Sequence, residues 1–278
     1  MTYDDYRKID AVNWSSLKSI GVSPLQYWHD LHHPRPDAAH FRIGQALHAH
    51  ILEPETFASR FWRQEKQTGK GSRLAMAAAK SHASAAGVTV LSEAEYDAAF
   101  GSAAAVLANP HASALLSRGL KEAVLRWTDA ETGLDCKARV DHAGKCLIDL
   151  KSAARIDPRR FASAAISLGY HCQLAFYEDG LRANGIEPAD VPHLIVVESS
   201  MPHDVLVYRM PPHVIETGRH EYKTLLAKLK HCRETNHWPG RAEAPIDFVM
   251  PAWHGTDEDD DLDYGETETE QDEEGDAA

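Results

Sequence analysis

The sequence predicts an α/β fold: a mixed central sheet flanked by helices, preceded by a mainly helical region over residues 1–118. Three observations lead there. Up to residue 118 apolar residues recur at helical spacings between Gly and Pro breaks, and two of the segments are Ala-rich. From residue 122 to 151 the period changes to two, with turn residues between the runs. Beyond that, helical patterns alternate with the runs 194–198 and 205–210, the first of which is continuously apolar and reads as a central strand.

Asn13 or Ser15 offers an N-cap for a helix carrying Leu17 and Ile20; the break from Gly21 to Pro24 ends it, and Tyr27-Trp28 belongs to a second short helix. A polar, Pro-bearing loop leads to the helix 41–52, closed by Glu53-Pro54. Within it Leu47, Ile51 and Phe41 or Ile43 share an apolar stripe, while Gly44 and His48, four apart, share the next one. A glycine there lets another backbone or an ion approach the imidazole, although in a chain with 17 histidines position alone does not make His48 a ligand. The run Thr68-Gly69-Lys70-Gly71-Ser72 lacks the full G-x-x-x-x-G-K-[ST] pattern and follows no apolar strand, so it reads as a flexible basic loop before an Ala-rich helix over 73–86. Ser92-Glu93-Ala94-Glu95 is a capping box for a second Ala-rich helix, which Asn109-Pro110 stops; a short helix over 111–118 follows.

Glu122 opens the sheet. Strands 123–128 and 134–141 flank Asp129-Ala130-Glu131-Thr132-Gly133, a hairpin signal. On the second strand Leu134, Cys136, Ala138 and Val140 take one face and Asp135, Lys137, Arg139 and Asp141 the other. On the third, 145–151, Asp149 and Lys151 point the same way as Leu147, opposite Cys146, Ile148 and Leu150. Gly144 beside Asp141-His142 makes a tight turn, so Asp141, Asp149 and Lys151 converge, with Glu122 within reach. Two carboxylates with a free edge can hold Mg²⁺, and a nearby ammonium stabilises negative charge or helps deprotonate a water. Asp157-Pro158 starts the next helix. Another, 170–184, ends at Gly185 and projects Gln173 and Tyr177 from one face. A long amphipathic helix over 211–234 carries Ile215, Tyr222, Leu225, Leu226 and Leu229.

The formal charge of −13 is unevenly distributed. Of the 42 acidic residues 13 fall between Asp257 and Ala278, which holds no Lys or Arg, so residues 1–256 carry 29 acidic against 29 basic side chains. The expectation is a single domain over 1–256, with 1–118 mainly helical and 119–256 the sheet core, followed by a disordered acidic tail. Cys136, Cys146, Cys172 and Cys232 have no zinc-like spacing and read as buried small hydrophobes of a reducing compartment. With no apolar leader and no long apolar run, a cytoplasmic protein without a membrane partner is expected.

Taken together, the order of these features resembles the PD-(D/E)xK nuclease superfamily: a helix with Gly44-x-x-x-His48, then Glu122, a strand ending in Asp141, a strand with Asp149-x-Lys151, and a helix with Gln173-x-x-x-Tyr177. The stretch Gly44 to Pro54, Thr132-Gly133-Leu134, Gln173-x-Ala175-Phe176-Tyr177-x-Asp179-Gly180, Trp238-Pro239-Gly240 and Pro251-Ala252-Trp253 are similar to the RecE-type nuclease domain (exodeoxyribonuclease VIII) of phages and prophages, over roughly 10–253. The resemblance implies a restriction-endonuclease-like core and a Mg²⁺-dependent exonuclease that degrades the 5′-ended strand of linear duplex DNA. It implies 3′ overhangs for a RecT-like single-strand annealing protein, a homo-oligomeric ring, and two Mg²⁺ ions with Mn²⁺ as a substitute. Position by position, it makes His48, Asp141, Asp149 and the Leu150 carbonyl the metal ligands, Glu122 an acid of the second metal, Lys151 the catalytic lysine, and Gln173 and Tyr177 a pair that supports the site and contacts DNA.

Lys70, Arg73, Arg139, Arg155, Arg159 and Arg160 are candidates for a local basic groove. The sequence departs from the family in having Val140 for the proline of Pro-Asp and a short gap between Asp141 and Asp149; Asp135 would replace Asp141 if the first aspartate were misaligned. The competing class is a catalytically inactive PD-(D/E)xK module for DNA binding or assembly, against which stands the intact Asp149-x-Lys151. A RecB-like or Cas4-like nuclease with an iron–sulfur cluster fails because only Cys232 follows Cys172.

Overall fold

The computed structural model describes residues 3–33, 38–64 and 72–250. Residues 1–241 form one compact unit and 242–278 a second, which is described only up to residue 250, without helix or strand and exposed throughout. The expected acidic tail, Pro251-Ala252-Trp253 and Lys70 lie outside the described residues, as does the side chain of Arg73.

The first half is helical, as its spacings predict: α1 (Tyr3–Lys8), α2 (Trp14–Val22), α3 (Pro24–His32), α4 (Ala39–Leu52) and α5 (Pro54–Arg60) come before β1 (Phe61–Gln64). Then follow α6 (Ser72–Ala85), β2 (Thr89–Ser92), α7 (Glu93–Ala108) and α8 (Pro110–Leu116). Asn13 caps α2 through Ser16 N–H, Ser92 and Glu95 cap α7 reciprocally, and Asn109 caps α8, satisfying helix-start donors that would otherwise be orphaned. The parallel pair β1 and β2 is not legible in the sequence, since four residues are too few for a period to declare itself.

The sheet contains β3 (Leu120–Thr128), β4 (Asp135–Ala143), β5 (Leu147–Ala153), β6 (His193–Glu198) and β7 (Val205–Arg209), side by side in that order. Between β5 and β6 run α9 (Pro158–Ser167) and α10 (Tyr170–Ala183); α11 (Pro212–Thr235) follows β7. Within this five-stranded sheet β5 and β6 are the parallel pair, because a helical crossover joins those two strands while turns join the others. Alternation gives the sheet two buried faces. Val140, Leu147, Leu194 and Val196 pack under α2, α10 and α11 with Leu17, Leu174, Phe176 and Leu226. Ile148, Leu150, Ile195 and Val197 pack under α4, α7 and α8 with Leu47, Ile51, Val106 and Leu116. The result is the expected mixed α/β sandwich, and β5 sends Asp149 toward the α10 layer and Leu150 toward the α4 layer.

Candidate active site

The site begins where β4 and β5 stop pairing. Next to the Gly144 turn the strands match only at Ala143 with Leu147 and His142 with Ile148, and then they part. On its other edge β5 stays paired with β6 from Ile148 to Ala153, so the open edge of Leu150 faces the fork. Two side chains close it: Asp141 Oδ2 accepts the Leu150 N–H at 2.7 Å, and His48 Nε2 lies 2.9 Å from the Leu150 carbonyl oxygen. His48 Nδ1 is 3.4 Å from Asp141 Oδ1, so a helix of one layer, a strand end and a strand backbone meet at one point.

Asp149 lies one pleat away on the opposite face and is 1% exposed. Its Oδ1 accepts from the Gln173 carboxamide at 3.1 Å, and Gln173 in turn donates to the Tyr177 hydroxyl at 2.8 Å. Lys151 forms an ion pair with Asp149 Oδ2, an oxygen with no well-aligned hydrogen bond, and rests over the Tyr170 ring at 5.0 Å. Helical spacing thus puts Gln173 and Tyr177 where the sequence predicts, on the α10 face that meets β5.

Glu122 lies inside β3, two residues from its start, in the left-handed region at φ 50°. It stands opposite Asp141, the one rung of the regular β3–β4 ladder that is not formed. A non-glycine residue in that region costs about 1–2 kcal/mol, a strain characteristic of functional sites. Its carboxylate bonds Arg139 Nε at 2.7 Å, while Arg139 also reaches Glu53 at 3.0 Å and Glu53 holds Arg60 at 2.7 Å. Arg139, a candidate for the basic groove, is therefore turned inward to two carboxylates and is nearly buried. Arg155, Arg159 and Arg160 are exposed around the start of α9, immediately beyond β5.

The electrostatics follow from burying three acids together. Burial alone would lower the His48 pKa, but the Asp141 carboxylate outweighs it and raises it to about 9. Burial and Asp141 push Glu122 up to about 7, and burial raises Asp149 to about 6 against the pull of Lys151. Asp141 itself is held low despite burial, by His48 and Lys151; Lys151 is raised despite burial, by Asp149 and Asp141. Burial penalises the charged forms of Glu122 and Asp149, so a bound cation would stabilise carboxylates that are otherwise hard to ionise here. Donor atoms of His48, Glu122 and Asp141 lie within 4.8 Å of one another. With the Leu150 carbonyl that His48 meets and the Asp149 carboxylate that Lys151 pairs with, the donors are mainly oxygen with one imidazole, which fits a hard or borderline divalent ion.

Asp135, the substitute for Asp141, lies at the far end of β4, where it accepts from Thr128 Oγ1 at 2.7 Å, so it takes no part. Gly44 has Ser152 Oγ, not a backbone, as its nearest neighbour at 3.7 Å from the position of a Cβ. Sequence reasoning missed two neighbours of the site. Glu53 looked like a helix end although it fixes Arg139, and Tyr170, the first residue of α10, lies one turn before Gln173 and Gly169 at φ 71° turns the chain into that helix. Gly180 and Asp179 are structural: a Cβ on Gly180 would come within 2.7 Å of the Trp127 ring, and Asp179 binds Arg219 at 2.9 Å.

A family profile described as a PDDEXK-like domain of unknown function (DUF3799) matches residues 13–247. Among solved structures, one from Eubacterium rectale, described as "Putative exonuclease", is similar with a TM-score of 0.63 at 13% identity, covering 93% of this chain and 98% of that one. No curated protein matches. None of the described helices is long and apolar enough to cross a membrane.

Proposed function

Since the chain belongs to this PDDEXK-like family, we propose that it is a divalent-metal-dependent nuclease, and more narrowly a Mg²⁺-dependent 5′-to-3′ exodeoxyribonuclease of the RecE type acting on linear duplex DNA. The observation that carries this reading is the β4–β5 fork, where His48, Asp141, the Leu150 carbonyl, Glu122, Asp149 and Lys151 meet. The likeness in fold to the Eubacterium rectale protein supports it, and the RecE motifs supply the finer terms: strand polarity, 3′ overhangs for a RecT-like annealing partner, a homo-oligomeric ring and phage or prophage origin.

His48, Asp141, Asp149 and the Leu150 carbonyl would hold one ion and Glu122 would serve a second; Mg²⁺ fits the oxygen-rich set, with Mn²⁺ tolerated through the imidazole. When bound, such ions polarise a phosphate and make water a stronger nucleophile. The chain's own groups do the rest. Lys151, fixed between Asp149 and the Tyr170 ring, presents an ammonium that orients the attacking water and offsets charge developing on the phosphate oxygens. Gln173 locks the Asp149 carboxylate, and Tyr177 locks Gln173, so the acid loses little freedom when it takes up its role. Arg155, Arg159 and Arg160 meet backbone phosphates beside the site, which contributes affinity without sequence preference.

The test is digestion of linear duplex DNA labelled at one 5′ end, with Mg²⁺ or chelator, beside a covalently closed circle and the Lys151→Ala variant. Metal-dependent loss of linear DNA alone, with early release of the label and none in the variant, is the expected result. Release from the 3′ end would overturn the polarity, attack on the circle would make it an endonuclease, and no cleavage under any condition would leave an inactive DNA-binding or assembly module.

A further inference from the structure

We propose that His171, Cys172 and Glu221 form a second metal site, one for Zn²⁺ or a similarly thiophilic divalent ion, which staples the first turn of α10 to α11 independently of the nuclease reading. Their donor atoms make a closed triangle: His171 Nε2 to Glu221 Oε2 is 3.0 Å, Cys172 Sγ to Glu221 Oε2 3.2 Å and Cys172 Sγ to His171 Nε2 3.5 Å. A tetrahedral zinc ion with ordinary Zn–N, Zn–O and Zn–S bonds sets such edges at about 3.4 to 3.6 Å, so donor shifts of a few tenths of an ångström complete it.

The fold delivers these atoms together. His171 and Cys172 are adjacent in α10 and each 2% exposed. Gly218 lets α11 close in, since a Cβ there would stand 2.5 Å from the His171 carbonyl, and Glu221 follows one turn later with half its side chain in solvent. The open side leaves room for a water as fourth ligand.

Two further observations point to a cation as the ligand. Along the same helices Glu178, Asp179 and Glu216 each hold an arginine, Arg219 or Arg182. Glu221 has no Lys or Arg partner among the described residues; its bonds are to a thiol and an imidazole. In addition, His171 Nδ1 is buried without a partner, so the ring is oriented only from the side of the triangle. Binding replaces the thiol proton, which leaves to solvent as the S–metal bond forms. The next residue, Gln173, is the one that reaches Asp149, so the staple would fix the helix turn on which the Asp149 contact depends.

The experiment is titration of metal-stripped full-length protein with Co²⁺, which reports a thiolate ligand by charge-transfer absorption and tetrahedral geometry by its visible bands. One equivalent should produce both, Zn²⁺ should displace them while excess Mg²⁺ does not, and Cys172→Ser should abolish the charge-transfer band. Glu221→Gln, on the surface and expected to fold, should weaken Co²⁺ by more than about tenfold. Zn²⁺ should raise the melting temperature of the wild type by more than that of this variant. No charge-transfer band in the wild type, or a band that survives Cys172→Ser, overturns the proposal; should Cys172→Ser not fold, unchanged Co²⁺ affinity in Glu221→Gln overturns it equally.

Discussion

Leu150 donates its main-chain N–H to Asp141 Oδ2 at 2.7 Å, across the gap where β4 and β5 no longer pair. Asp141 thus replaces a missing rung of the sheet while presenting its other oxygen to His48. The two roles separate by substitution. Asp141→Asn keeps an acceptor for Leu150, so stability should change by no more than about 1 kcal/mol while cleavage falls about a hundredfold or more. Asp141→Ala should lose activity as well and cost about 1–3 kcal/mol, because it leaves a buried N–H unpaired. Urea melts beside DNA digestion check this; a fully active Asp141→Asn would remove Asp141 from the chemistry.

Tyr177 belongs to the core as well as to the site. It is 9% exposed within the cluster that holds Phe176 and Leu181, and its hydroxyl receives the Gln173 bond. Truncation to alanine would cost about 3–5 kcal/mol through the cavity alone and could not separate packing from catalysis. Tyr177→Phe removes only the hydroxyl: stability should fall by about 0.5–1.5 kcal/mol and turnover several-fold. Gln173→Ala should lower turnover further, since Asp149 then loses its fixed orientation. Equal turnover in Tyr177→Phe and wild type would confine this tyrosine to a packing role.

The polar face of β4 is less uniform than its alternation implies. Lys137 carries its ammonium to the carbonyls of Tyr6, Arg7 and Ile9 at 3.0, 3.3 and 2.6 Å, closing the end of α1, and lies over the Tyr6 ring at 4.8 Å. Lys137→Met keeps the length and loses those charge-assisted bonds, so unfolding should become easier by about 1.5–3 kcal/mol with kcat on DNA unchanged. Chemical denaturation gives the first quantity and digestion at low temperature the second; a large loss of kcat in folded protein would mean that α1 contributes to the site.

How much could be read beforehand follows from which signals are local. Asp149 and Lys151 share a face by the two-residue period, Gln173 and Tyr177 by the helical one, and the Ser92 cap by a four-residue pattern, all of which survive folding. Fork geometry is not local. That Asp141 bonds Leu150 and that His48 meets both depends on α4 packing against the sheet through Leu47 and Ile51, which no spacing encodes. Arg139 shows the limit: alternation places it beside Asp141, yet its charge is taken by Glu122 and by Glu53, a residue from another layer.

Glu122 offers the sharpest test of strain in the service of chemistry. Its left-handed backbone costs about 1–2 kcal/mol that glycine would not incur, whereas removing its side chain loses an ion pair to an arginine that Glu53 still holds. The two effects oppose each other and are of similar size. Glu122→Gly should therefore leave stability within about 1 kcal/mol of the wild type, although it deletes a nearly buried charged side chain. Loss of one donor beside Asp141 should meanwhile lower cleavage at limiting Mg²⁺ by tenfold or more, with partial recovery as Mg²⁺ is raised. Denaturant midpoints and a Mg²⁺ titration of the digestion rate measure both. A variant destabilised by several kcal/mol would make the Arg139 pair the reason for Glu122, and an unaltered Mg²⁺ dependence would remove it from the set of metal ligands.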